Sequence, residues 1–214
     1  MQDYDDFAAE LREKAAAIEE GKQFWVGIAG GPGSGKSTLT DALKARLGDL
    51  ATVIGLDGYH YYRRELDAMD DPEEAYVGRG APFTFNAERF VSELVEARQR
   101  GEGVFPSFDH GAGDPVEGNI RLTKNQRVVL VEGNYVLLDD EPWHRLRDVF
   151  DETWFMDVPV EECNRRVAAR HVTVGLTEEQ AQVRVDTNDG INAVLIAEVS
   201  PKNADKMVRI TWVT

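Results

Sequence analysis

Cysteine is almost missing from this 214-residue chain, with Cys163 standing alone. An intramolecular disulfide is therefore excluded, and a reducing compartment is the simpler expectation. Positive charge is also scarce: Lys and Arg number 24 against 39 Asp and Glu, a net charge of −15. Gripping a nucleic-acid backbone takes a basic face, and so does lying on an anionic membrane, so neither partner is expected. No apolar run has the length of a membrane span. The opening MQDYDDFAAELREKAAAIEE is acidic and amphipathic, unlike a signal peptide, and a cytoplasmic location is expected. Repeats, low-complexity tracts and a linker are missing too, which predicts one domain over residues 1–214. There is no N-K-x-D element to read guanine, and no His/Cys spacing suited to a metal cage.

What the chain does contain is an alternation of apolar runs and helical patterns. Phe7, Leu11, Ala15 and Ile18 recur at helical spacing and predict a helix within residues 1–20. FWVGIAG (24–30), ATVIGL (51–56), VVLVEG (128–133) and TWFMDV (153–158) have the length of buried strands, and MVRITW reads as a last one. Helices follow with Leu39, Leu43 and Leu47, with Phe90, Val91, Leu94 and Val95, and from about Glu161 to Arg170. The spacing of Thr177 and Gln180 predicts a capping box that opens a long helix, although Gly190 weighs against its continuity. Residues 58–85 read as irregular. The pattern predicts an α/β fold, a mostly parallel sheet with helices on both faces.

Gly30-Gly31-Pro32-Gly33-Ser34-Gly35-Lys36-Ser37, with Thr38 next, fits G-x-x-x-x-G-K-[ST] between an apolar strand and a leucine-periodic helix. Such a loop cradles a polyphosphate with backbone N–H groups, and the helix N-terminus adds partial positive charge. Lys36 is expected on the terminal phosphates and Ser37 on Mg²⁺. The alternative is a glycine-rich turn carrying a surface lysine. Two acids, Asp57 and Glu132, end apolar strands, and strand ends converge on the ligand crevice of an open α/β sheet. Glu132 is placed towards the metal; the bland reading of each is a solvated strand-end acid.

These residues, with LDGYHYY (56–62), VFPSFDH (104–110) and VVLVEGNYVLL (128–138), resemble the P-loop small-molecule kinases that include uridine kinase, bacterial pantothenate kinase and phosphoribulokinase. GRGAPFTFNAERFVSELVEARQRGEGV (78–104) is similar to a pantothenate-kinase segment built on G-x-P-x-S-Y-D, and SPKNADKMVRI (200–210) to the segment before the last strand. The resemblance covers Phe24 to Ile210. It implies a P-loop NTPase fold with a short mobile lid at about 165–177 and an acceptor-site insertion at 58–127. ATP and Mg²⁺ are the implied cofactors, a small-molecule hydroxyl the acceptor, and Asp57 the general base. Arg165, Arg166, Arg170 and His171 look like the start of the lid, and Arg166 and Arg170, four apart, would share a helix face as a phosphate clamp. Pairing with Glu161 and Glu162 is the alternative for these arginines.

By position, Tyr59, His60, Arg79, Phe83, Phe85, Phe108, Asp109, His110, Asn134 and Tyr135 are the candidates for acceptor binding. Phe108-Asp109-His110 stands where uridine kinases show Tyr-Asp-Phe and pantothenate kinases Tyr-Ser-His. Three acceptors stay open: an acid met by Arg79 or Arg63, a sugar met by Asp109 and Asp114, or a nucleoside held by Phe83, Phe85 and His110. A nucleotide switch acting on a protein partner is the rival class, and a homodimer is left open. Arg184, Asn188 and Asn192 form a polar stripe that would face the ligands or cap neighbouring loops.

Overall fold

The computed structural model describes residues 3–210. Helix α1 (Tyr4–Ala17) opens on Asp3, whose carboxylate accepts the N–H groups of Asp5 and Asp6 in a capping box. Strand β1 (Phe24–Ala29) runs into the glycine-rich loop and α2 (Lys36–Leu47), and β2 (Ala51–Gly55) follows. Short helices α3 (Arg63–Leu66) and α4 (Pro72–Val77) lead to α5 (Ala87–Arg100). Then come β3 (Gly103–Asp109), β4 (Asp114–Leu122), β5 (Val128–Glu132) and β6 (Glu152–Met156). Helix α6 (Val160–Thr173) precedes α7 (Glu178–Arg184), a π-helical turn (Val185–Asp189), α8 (Gly190–Val199) and β7 (Lys206–Val208). No helix among the described residues is long and apolar enough to cross a membrane.

The main sheet has the order β2-β5-β1-β6-β7, and every neighbouring pair is parallel. The central strands β1 and β5 are apolar almost throughout because both of their faces are covered. Side chains alternate along β1, so Trp25 and Ala29 join one core while Phe24, Val26 and Ile28 join the other. Phe7 and Leu11 of α1 and Leu39 and Leu43 of α2 cover the second face. Phe90, Val91 and Leu94 of α5 and Ile196 of α8 pack on the first. β3 and β4 form a separate antiparallel hairpin.

Sequence patterning missed this hairpin. Six of the nine β4 residues are exposed or only half buried in an unbroken run, Glu117 to Arg121 included, so no apolar alternation marks it. The closing strand is shorter than expected: β7 ends at Val208, and Thr211 and Trp212 of the expected strand lie outside the described residues. Helix α6 runs to Thr173, three residues past the expected end at about Arg170, so helix occupies much of the segment expected as a lid. Thr177 does cap α7 through the expected box with Gln180. Gly190 does not interrupt the helix; it follows the π turn and its N–H donates to Val185 O.

Candidate functional site

The glycine-rich loop joins the tip of β1 to α2. Gly33 and Gly35 have φ of +79° and +89°, a region that side chains strongly disfavour. A Cβ at Gly33 would also stand 2.6 Å from Cys163 O, so α6 backs the loop closely. Gly35 caps α2, whose first turn has no acidic residue to offset the partial positive charge at its start.

Lys36 is buried, and its Nζ donates to Gly30 O (2.8 Å), Gly31 O (3.2 Å) and Asn134 Oδ1 (2.8 Å). All three acceptors are neutral. Burial holds the lysine below its usual pKa, while Glu132 and Asp57 pull it back up. A desolvated ammonium with neutral partners is a site for an anion. The Ser34 hydroxyl, buried under the same loop, has no hydrogen-bond partner. These features fit a polyphosphate.

Glu132 lies between Ile28 and Gly55 in the sheet register. Ser37 Oγ donates to Glu132 Oε1 at 3.2 Å, so a hydroxyl and a carboxylate already stand together as hard oxygen ligands that could hold Mg²⁺. Burial pushes Glu132 up to about 7; Lys36 opposes the shift and Asp57 adds to it. Asp57 occupies the 3₁₀ turn Leu56–Tyr59 beyond β2. Its carboxylate is exposed and has no hydrogen-bond or ion-pair partner among the described residues.

Two glycines fix this turn. A Cβ at Gly133 would stand 2.5 Å from Leu56 Cβ, and one at Gly58 would stand 2.4 Å from Pro106 O. The Glu-Gly and Asp-Gly pairs therefore let β5, the Asp57 turn and the β3 hairpin close on one another. Sequence reasoning used both motifs for their acids and missed the role of their glycines.

Several expected acceptor residues meet beside Asp57. His60 Nδ1 is 2.9 Å from Asp57 O, and its ring lies 4.0 Å from Phe85 and 4.9 Å from Phe108. Burial lowers the His60 pKa, which favours a neutral ring. His110 meets Phe108 edge-on at 5.2 Å, and the Arg79 guanidinium lies 5.8 Å over Phe108. Arg79 Nη2 donates to Gly113 O (2.7 Å) and Tyr61 O (3.3 Å), and it pairs loosely with Asp114 at 3.6 Å.

Other expectations need correction. Tyr59 is 1% exposed and turned into the core, where its hydroxyl donates to Glu93. Tyr135 is fully buried, and its hydroxyl donates to Gly80 O. Phe85 is also buried and supports His60 from below. Phe83 faces outwards, 51% exposed, over a shallow depression lined by Met69, Glu74 and Ala75. Asp109 accepts the N–H groups of Gly111 and Ala112 and closes the hairpin turn. Asn134 meets Lys36 on the phosphate side rather than standing among the acceptor residues.

The arginines expected in a lid divide. Arg165 and Arg166 both bond Glu162, one of the two acids of the pairing alternative, and Arg166 Nη1 also reaches Gly33 O at 3.5 Å. Arg170 is exposed, and its charge is felt at Lys36. His171 Nε2 is 2.8 Å from Asp189 Oδ2. The polar stripe does cap a neighbouring loop. Asn188 Nδ2 donates to Arg79 O at 2.8 Å, and Arg184 Nη2 reaches the same oxygen at 3.2 Å.

No family model matches the chain. A Schizosaccharomyces pombe protein provisionally named a uridine kinase is 38% identical over 216 residues, covering 95% of this chain and 92% of its own. An Aspergillus versicolor ATP-dependent kinase-like protein is 39% identical, over 64% of this chain and 84% of its own. Among solved structures, a Silicibacter protein provisionally named a fructose transport system kinase superposes with a TM-score of 0.83 at 28% identity, covering 98% of this chain and all of that one. Loop, strand-end acids and relatives converge: the chain belongs to the P-loop small-molecule kinases of the uridine kinase group and is an ATP-using phosphotransferase.

Proposed function

We propose that the protein transfers the γ-phosphoryl group of MgATP to a hydroxyl of a small hydroxy acid, with Asp57 as general base. The observation that carries this reading is the unpartnered Asp57 carboxylate beside Lys36 and Glu132. Asp57 takes the proton of the acceptor hydroxyl, the oxygen attacks the γ-phosphorus, and the bond to the β-phosphate oxygen breaks to release ADP. Lys36 and the loop amides hold the phosphates, and Ser37 and Glu132 supply oxygen ligands to the cation that arrives with them. Positioning and charge neutralisation carry most of the rate in such reactions. Arg170, with Arg166 beside the loop, closes over the phosphates and limits hydrolysis.

Three features favour an acid over the other acceptors. Arg79 is a half-buried cation in the crevice with a loose carboxylate partner. The carboxylates a sugar would use are engaged, Asp109 in its turn and Asp114 by Arg63 N. Of the groups a nucleoside would use, Phe83 faces outwards and Phe85 is buried.

The test is ADP release from MgATP with pantothenate, D-glycerate, uridine, cytidine, nicotinamide riboside and common sugars, using wild type and Asp57→Asn. A hydroxy acid should raise turnover, and the variant should lose on the order of 10²–10⁴ in rate. Stimulation by a nucleoside or sugar alone defeats the acid reading. Equal acceptor-independent hydrolysis by both proteins defeats the role of Asp57 and favours a nucleotide switch.

A further inference from the structure

The stretch from α7 through the π turn to α8 touches three parts of the site that do not adjoin in sequence. A Cβ at Gly31 would stand 3.4 Å from Ala193 Cβ, so α8 lies against the phosphate loop. Asp189 binds His171 near the end of α6, and a Cβ at Gly190 would stand 3.2 Å from Asn164 Nδ2, so the end of the π turn and the start of α8 lie against the lid helix. Asn188, next in sequence to Asp189, holds the carbonyl of Arg79.

Asn188 is 3% exposed, and its amide orientation is fixed. Asn192 Nδ2 donates to Asn188 Oδ1 at 2.8 Å, which leaves Asn188 Nδ2 to face Arg79 O. The next residue, Gly80, has a φ of +105°, and its carbonyl accepts from the buried Tyr135 hydroxyl. The backbone that carries the Arg79 guanidinium into the crevice is thus pinned from the helix. Single π turns inside α-helices occur often at functional sites. Here the turn places a lid contact and an acceptor-loop contact on consecutive residues.

We infer that Asn188 is a positioning residue that couples the nucleotide side of the site to the acceptor side, by fixing the Arg79 backbone from the helix that also backs the phosphate loop and the lid. The inference rests on the proposed function for the meaning of the two sides. Nucleotide binding orders the loop and α6, and Asn188 passes that order to residues 78–85.

Hydrogen–deuterium exchange with saturating Mg·AMPPNP tests this without knowledge of the acceptor. In wild type the nucleotide should slow exchange in segment 78–85 by about 5- to 10-fold, the size of one buried hydrogen bond. Asn188→Ala should bind AMPPNP with an affinity within about 2-fold of wild type and lose the slowing. Asn192→Ala, which frees the amide orientation of Asn188, should lose part of it, and it decides the matter if Asn188→Ala does not fold. Equal slowing in wild type and variants overturns the inference and leaves the proposed function standing. Absence of AMPPNP binding to wild type overturns both.

Discussion

At the scale of single residues, the site holds charges in states they would not keep in water. Glu132 is the clearest case, with burial raising its pKa from 4.5 to about 7. A carboxylate that binds its proton more tightly folded than unfolded costs stability as pH rises through that window. Glu132→Gln should therefore stabilise the nucleotide-free protein at pH 8, by on the order of 1–2 kcal/mol, and leave it unchanged near pH 4. Urea denaturation at the two pH values measures this, and an unshifted midpoint at pH 8 would refute it. The same substitution should weaken Mg²⁺-dependent turnover, so stability and activity move in opposite directions. Tyr59 and His60 show the limit of reading residues singly. They are neighbours in sequence, yet the 3₁₀ turn sends one into the core and the other into the crevice. No apolar pattern distinguishes them, because both are aromatic and both follow Asp57.

Among the elements, the nucleotide half of the site was legible because it is continuous in sequence. A strand, six loop residues and a helix start supply the loop, Lys36 and Ser37 together. The parallel core was legible for a similar reason, since buried strands read as unbroken apolar runs. The proposed acceptor half comes from three separated segments that bring His60, Arg79 and Phe108 together, and their approach depends on tertiary packing. Its hairpin was hidden by the exposure of β4. Gly58 makes the approach physical: its missing side chain is what admits the Pro106 carbonyl. Gly58→Ala should destabilise the fold by about 1–3 kcal/mol, the usual cost of overpacking. It should also reduce turnover more than it reduces nucleotide affinity, because it displaces the Asp57 turn and not the phosphate loop. Urea midpoints and AMPPNP titration of the variant decide this; a wild-type midpoint would show that β3 yields freely.

Across the whole molecule, α1 is tied to the far edge of the sheet. Phe7 is buried 5.2 Å from Trp154, and Lys206 of β7 bonds Glu10 while lying over both rings. Phe7→Ala should cost about 3–5 kcal/mol, as large-to-small changes in a core do. A urea midpoint close to wild type would mean that α1 is a detachable cover. The opposite end of the architecture is built on another principle. The β3–β4 hairpin shares no ladder with the main sheet and rests on the Asp57 turn through the close approach at Gly58. Substitutions at its tip can therefore accumulate without unsettling the phosphate machinery. On the proposed function, descendants of one ancestral enzyme could exchange this hairpin for another and acquire a new acceptor while keeping the same engine.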